Sequence, residues 1–105
     1  MRLKAPFFRM VLRNTYMELE LGDIVVFAEA RRRGLYAEVY MDDVGYIYEK
    51  GNWYAYDNEG RPKAITAAEA ERLRRLAKKL STLPSYEVLE QLIKAIYSIQ
   101  AKAQA

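Results

Sequence analysis

Between residues 23 and 57, apolar side chains recur at every second position, and short polar pairs interrupt the alternation. A period of two places successive side chains on opposite faces of a β-strand. The polar pairs fit two-residue hairpin turns, in which Gly34 and Gly51 can supply positive φ. The stretch therefore predicts a four-stranded antiparallel meander with strands at residues 24–31, 35–41, 44–49 and 52–56, joined at Arg32-Arg33, Asp42-Asp43 and Lys50-Gly51.

Two-residue turns fix the register of the strands, and the register sorts their side chains onto two faces. One face carries no charge, and we expect it to face the core. Its members are Ile24, Val26, Ala28, Leu35, Ala37, Val39, Met41, Val44, Tyr46, Tyr48, Trp53 and Ala55. The other face mixes glutamates with apolar and aromatic residues, and it can be solvated, covered or a binding surface. Its members are Val25, Phe27, Glu29, Tyr36, Glu38, Tyr40, Ile47, Glu49, Tyr54 and Tyr56.

The pattern becomes helical from Thr66 onward. Thr66 and Glu69 have the spacing of a capping box, in which each side chain accepts a hydrogen bond from the other residue's backbone amide. A second helix after Pro84 carries an apolar stripe wider than one sheet face requires. That helix either lies centrally or continues into an oligomer contact.

The first twenty-two residues fit two structures. The first is a helix with one apolar face and with Pro6 near its start. The second is a strand, in which Met17, Leu19 and Leu21 alternate with glutamates. We favour a helix that gives way to a strand near Tyr16.

The predicted fold class is therefore α+β, with a four-stranded antiparallel β-meander packed with two C-terminal helices and an N-terminal helix or strand. A length of 105 residues suits one domain over residues 1–105. No apolar run is long enough to span a membrane. The basic start is interrupted by Arg9 and Arg13 and has no cleavage site, so we expect a cytoplasmic protein without a signal peptide.

The sequence contains no Cys and no His. The absence of Cys excludes disulfides and thiolate nucleophiles. The absence of His excludes the commonest metal ligand and the usual acid/base group at neutral pH. A catalytic site would have to use carboxylates such as Asp42, Asp43 or Glu38, which could also hold Mg²⁺. Asp-Asp between strands is normally a turn. We therefore predict a non-enzymatic protein with no cofactor and no metal.

Aromatic residues on adjacent strands are interleaved with basic residues at the strand ends and turns. Aromatic rings stack on bases, and cations contact the phosphate backbone, so this combination favours a binder of single-stranded DNA or RNA. We predict stacking by Tyr36, Trp53, Tyr54 and Tyr56 and phosphate contacts from Arg31, Arg32, Arg33, Lys50 and Arg61. The glutamates argue against a phosphate path across their face, so we expect the ligand in a cleft between the sheet edge and a helix.

The order of the elements resembles that of the ThermoDBP family, the single-stranded DNA-binding proteins of Thermoproteales archaea. The resemblance lies in the Tyr-rich meander GLYAEVYMDDVGYIYEKGNWYAYD and in the helices TAAEAERLRRLAKKL and SYEVLEQLIKAIYSIQ. It implies DNA rather than RNA, and an archaeal, thermophilic source. A charged, Asn- and Gln-poor composition agrees with such a source, although an engineered sequence can share it. Residues 1–105 depart from the family pattern in showing no C-terminal heptad zipper, which leaves open the dimerisation that the resemblance implies, unless the tail was removed.

The rival hypothesis is a protein-interaction or assembly subunit that forms a homodimer through the apolar C-terminal helix. A third hypothesis is the carboxylate-dependent enzyme.

Overall fold

The computed structural model describes residues 8–13 and 15–101, with the side chains of residues 8–10 and 12 outside the description. The chain forms a seven-stranded antiparallel sheet, with the strands in chain order, followed by two helices. The elements are β1 (Phe8–Leu12), β2 (Tyr16–Leu21), β3 (Ile24–Arg31), β4 (Gly34–Met41), β5 (Val44–Glu49), β6 (Asn52–Tyr56), β7 (Pro62–Lys63), α1 (Ala67–Leu80) and α2 (Glu87–Tyr97). Neither α1 nor α2 has the length and apolar run that crossing a bilayer requires. The predicted α+β class is confirmed.

The predicted meander corresponds to β3 through β6, and its turns have the predicted length. Met41 pairs with Val44 and Glu49 pairs with Asn52, so two residues close each hairpin. Asp42 and Asp43 both have positive φ, at 52° and 65°, as a type I′ turn requires. Lys50 and Gly51 also both have positive φ, at 53° and 83°, so the two turns share one backbone conformation.

The predicted count of four strands is wrong, and so is the favoured N-terminal helix, but the strand predicted to begin near Tyr16 is present as β2. β1 and β2 extend the sheet beyond β3, and the two-residue β7 extends it beyond β6. Val11 pairs with Glu18 in the antiparallel β1–β2 hairpin. Pairing with β2 satisfies the backbone groups of this segment, which explains why it forms a strand. Pro6, the expected start of the helix, lies outside the described residues.

Both helices pack on one face of the sheet and form the core with it. The two-face prediction is confirmed, because the charge-free face is the covered one. α2 lies centrally against β2, β3 and β4, with α1 beside it. Its stripe of Val88, Leu89, Leu92 and Ile96 is buried, which explains why it is so wide. Most of the apolar stripe that the homodimer hypothesis required is therefore inside the monomer, whereas Tyr97 at its end is 49% exposed.

The opposite face of the sheet has no helix on it, and we call it the open face. Antiparallel sheets commonly leave one face to solvent, but that face is usually polar. Here apolar and aromatic residues alternate with glutamates. The described side chains of the open face are Val11, Tyr16, Glu18, Glu20, Val25, Phe27, Glu29, Arg31, Tyr36, Glu38, Tyr40, Ile47, Glu49, Asn52, Tyr54 and Tyr56.

Glu69 joins the sheet to the first helix. It forms the predicted capping box with Thr66, and its carboxylate also accepts hydrogen bonds from the Tyr46 hydroxyl at 2.9 Å and the Lys63 ammonium at 2.6 Å. Burial opposes ionisation of Glu69, but the hydrogen bonds from Lys63, Thr66 and Tyr46 outweigh it and hold the pKa of Glu69 below its usual value. The charged carboxylate therefore favours the folded state.

We predict that Glu69→Gln lowers the free energy of unfolding at neutral pH by roughly 1 to 3 kcal/mol, the range for a hydrogen-bonded charged group. A carboxyl whose pKa is lower in the folded state stabilises fully above its unfolded pKa, about 4.3, and loses that contribution as pH falls through its folded pKa. The gap in the free energy of unfolding between wild type and variant should therefore close as the pH falls. Urea denaturation between neutral pH and about pH 3 measures it. Glu71→Gln is the matched control, because Glu71 lies two residues further along α1 and is exposed. A gap that stays constant with pH would contradict this role of the carboxylate.

The paired type I′ turns yield a second prediction. A Cβ at Gly51 would meet no atom within 4 Å, so Gly51→Ala tests only the left-handed backbone and should cost about 1 kcal/mol. Asp43→Gly, at the same position of the preceding hairpin, should change stability in the opposite direction. Chemical denaturation of both variants measures the difference. Equal effects of the same sign would exclude a shared turn geometry.

Candidate nucleic-acid interface

Charged side chains are sorted between the two ends of the sheet. The β3–β4 turn, the β5–β6 turn and the β1–β2 connection all lie at one end, because antiparallel neighbours reverse direction at every turn. We call the cations at this end the basic rim. Its members are Arg13, Arg31, Arg32, Arg33 and Lys50, all exposed.

The opposite end of the sheet is acidic. Its turns carry Asp23, Asp42, Asp43, Asp57 and Glu59. The turns at the two ends of the sheet therefore carry opposite charges, which favours an anionic ligand at the basic rim. Helix α1 brings Arg72, Arg75 and Lys79 beside Met41 at the acidic end, where Arg72 pairs with Asp42.

Arg61 lies at the acidic end, away from the other predicted phosphate contacts. Its backbone amide donates to the Asp57 carboxylate at 2.9 Å, and its guanidinium pairs with Asp57 at 3.5 Å and with Glu59. Local carboxylates therefore neutralise it. The structure does not bring Arg61 together with the basic rim.

The remaining predicted phosphate contacts share a shallow depression of about 320 Å³ with Tyr36. The Arg31 guanidinium is already engaged, because its Nε donates to Glu29 at 2.8 Å and its charge lies 4.0 Å from the centre of the Tyr36 ring. Within residues 8–13 and 15–101, the side chains of Arg32, Arg33 and Lys50 have no carboxylate within ion-pair distance. These three cations can accept a phosphate without breaking an existing pair.

Trp53 lies on the helix-covered face, opposite to Tyr54. Its indole Nε1 donates to the Ala95 carbonyl at 2.8 Å, and its ring packs on Tyr48 with 5.2 Å between centroids. Trp53 is half-buried and serves first as an anchor between β6 and the end of α2. Only its outer edge can reach a ligand.

The outer edge of β6 borders a second depression, of about 340 Å³. Trp53, Tyr54 and Tyr56 line it together with Lys63 and Gln100. Gln100 follows α2, so this depression is a cleft between a sheet edge and the end of a helix. Only the turn at Lys50 and Gly51 separates it from the depression at the basic rim. Apart from Arg61, the predicted binding residues thus fall into two neighbouring depressions.

Glu38, in the middle of the open face, accepts hydrogen bonds from two tyrosines of its own strand. The Tyr36 hydroxyl donates at 2.5 Å and the Tyr40 hydroxyl at 2.8 Å. Burial and the bond to Glu38 raise the pKa of Tyr36 to about 12, so this phenol remains a neutral donor. The fixed carboxylate makes the centre of the open face unfavourable for phosphate.

Arg13 is a member of the basic rim that the sequence did not reveal. Its guanidinium lies 6.0 Å from the centre of the Tyr16 ring, and its amide donates to the Tyr16 carbonyl at 2.8 Å. Its position depends on the β1–β2 hairpin. The alternation of Met17 and Leu19 with glutamates indicated β2. Because the preceding segment was interpreted as a helix, the β1–β2 hairpin that positions Arg13 was not predicted.

The acidic candidates for catalysis do not converge. Asp42 and Asp43 form a turn, where Asp42 pairs with Arg72 of α1, whereas Glu38 lies in mid-strand on the open face. In the described part of the chain, no group of three or more acidic side chains is positioned to hold a metal ion.

Comparison of the chain with models of protein families, with curated proteins and with solved structures finds no match. The resemblance to the ThermoDBP family therefore stays a prediction.

We predict that Trp53→Phe lowers the free energy of unfolding by roughly 1 to 2 kcal/mol, because it removes the hydrogen bond to Ala95 and part of the packing on Tyr48. Tyr54→Phe, on the neighbouring position but the exposed face, should change stability by less than about 0.5 kcal/mol. Urea denaturation followed by circular dichroism measures both. Equal losses would contradict the different placement of the two rings.

Proposed function

We propose that this chain is a non-enzymatic binder of single-stranded nucleic acid, with the basic rim holding phosphates and the edge of β6 receiving bases. The observation that carries the proposal is the cluster of Arg32, Arg33 and Lys50, which are exposed and free of carboxylate partners among the described residues. DNA is preferred over RNA only through the ThermoDBP resemblance.

The separation of charge supports this orientation of the ligand. Phosphates are attracted to the basic rim, while the acidic end and the glutamates of the open face repel them. The strand therefore follows the rim and turns around the Lys50-Gly51 hairpin instead of crossing the sheet.

Aromatic residues beyond that hairpin supply the surface for the bases. Tyr54 is 45% exposed, and Tyr56 lies beside it along the same strand. A ring of this kind stacks on any base that is not already stacked in a duplex, which favours single strands without sequence preference. The rim and the β6 edge together suit a ligand of a few nucleotides.

The salt dependence of binding tests the proposal. For single strands, log K falls with log salt concentration by roughly 0.7 for each phosphate contact. We expect the double variant Arg32→Gln/Arg33→Gln to reduce that slope by roughly 1.4 and to weaken binding at low salt. The anisotropy of a labelled thymidine oligonucleotide, measured across a salt series, gives both quantities, and the fluorescence of Trp53 reports contact at the β6 edge.

The matched control removes the same charge from a distant surface. Arg75→Gln/Lys78→Gln on the outer side of α1 changes the net charge equally but leaves the rim intact. Its salt slope should equal that of wild type. Equal slopes for both double variants, or binding that ignores salt, would show that the basic rim is not the binding site.

A further inference from the structure

The open face is more apolar than a solvated sheet face needs to be. Val25, Tyr40 and Tyr54 are exposed by 42%, 43% and 45%, and all three lie on this face. Exposed apolar surface bordered by polar groups is typical of protein interaction sites.

Carboxylates and apolar groups form a checkerboard on this surface. The strand registers place Glu18, Phe27, Glu38 and Ile47 side by side in one row across the sheet. In the next row the order reverses, with Glu29 between two tyrosines. Among the described side chains, the cations that reach this face are Arg13, near the Tyr16 ring, and Arg31, beside Glu29, both at its border with the basic rim. The surface therefore combines apolar contact area with negative charge.

The spacing of the carboxylates matches a helix. Glu18 and Glu38 are two strands apart, which is roughly 10 Å at the backbone, with Phe27 between them. In a helix, residues seven apart on the same face are separated by about 10.5 Å. A helix lying across the strands could offer a cation to each glutamate and an apolar side chain to Phe27.

Glu38 is also prepared for such a contact. The hydroxyls of Tyr36 and Tyr40 each bond one of its oxygens, which fixes the carboxylate, and further acceptor positions remain open. Fixing an interaction group before binding lowers the entropy cost of association.

We propose that the open face docks a basic amphipathic helix of a partner protein. Charge complementarity selects this occupant. A second copy of the open face would bring carboxylates against carboxylates, and nucleic acid or an anionic membrane would meet the same repulsion.

A synthetic helical peptide of about 18 residues tests the proposal, with lysines seven residues apart and leucines between them on the same face. We expect the full chain to bind the labelled peptide in an anisotropy titration and not to bind a version with glutamate in place of lysine. The variant Glu18→Gln/Glu38→Gln should weaken binding roughly tenfold, as expected for the loss of two ion pairs.

Two comparisons exclude general attraction between opposite charges. Glu71→Gln/Glu87→Gln removes the same charge from the helices and should change the affinity less than about twofold. Arg32→Gln/Arg33→Gln, which damages the basic rim, should leave peptide binding unchanged, so this result is independent of nucleic-acid binding. The proposal is overturned if a scrambled peptide of the same composition binds equally well or if both glutamate variants lose affinity equally. It is also overturned if anionic vesicles or oligonucleotides bind the chain without the peptide and lose affinity in Glu18→Gln/Glu38→Gln.

Discussion

The apolar contact between α2 and the inner face of the sheet is the interaction on which the rest of the structure depends. Side chains such as Leu92 and Ile96 are fully buried there, and burial of each contributes roughly 1.5 to 3 kcal/mol. The two described helices form one layer, and that layer covers only one face of the sheet. The position of α2 therefore determines both the core and the surface that remains for binding.

Much of the fold was predictable because local turn chemistry and side-chain alternation agree with each other. The two-residue turn at Lys50 and Gly51 sets the register of β6 on β5, and that register places Trp53 on the charge-free face and Tyr54 on the other without any knowledge of the helices. Residues 8–12 offered no such agreement. The apolar residues of this segment fit the period of a helix as well as that of a strand. Only the pairing with β2 decides that it is a strand.

The candidate site was predictable to the extent that it depends on strand register. Arg32 and Lys50 occupy turns at the same end of the sheet, which follows from the meander itself. Arg61 follows a longer turn, and its partners Asp57 and Glu59 became apparent only in three dimensions. The same is true of the Trp53 bond to Ala95, since the residues are far apart in sequence and meet only when α2 packs on the sheet.

Arg31 lies where the basic rim meets the open face, and it contacts both Glu29 and the Tyr36 ring. A phosphate that captured this guanidinium would leave Glu29 without its counterion and uncover one side of Tyr36. The open face would then become more negative at its border, which favours a cationic partner. Because coupling between two ligands is reciprocal, such a partner would in turn strengthen the hold on phosphate. A single arginine thus makes cooperation between two surfaces on adjoining parts of one small sheet physically feasible.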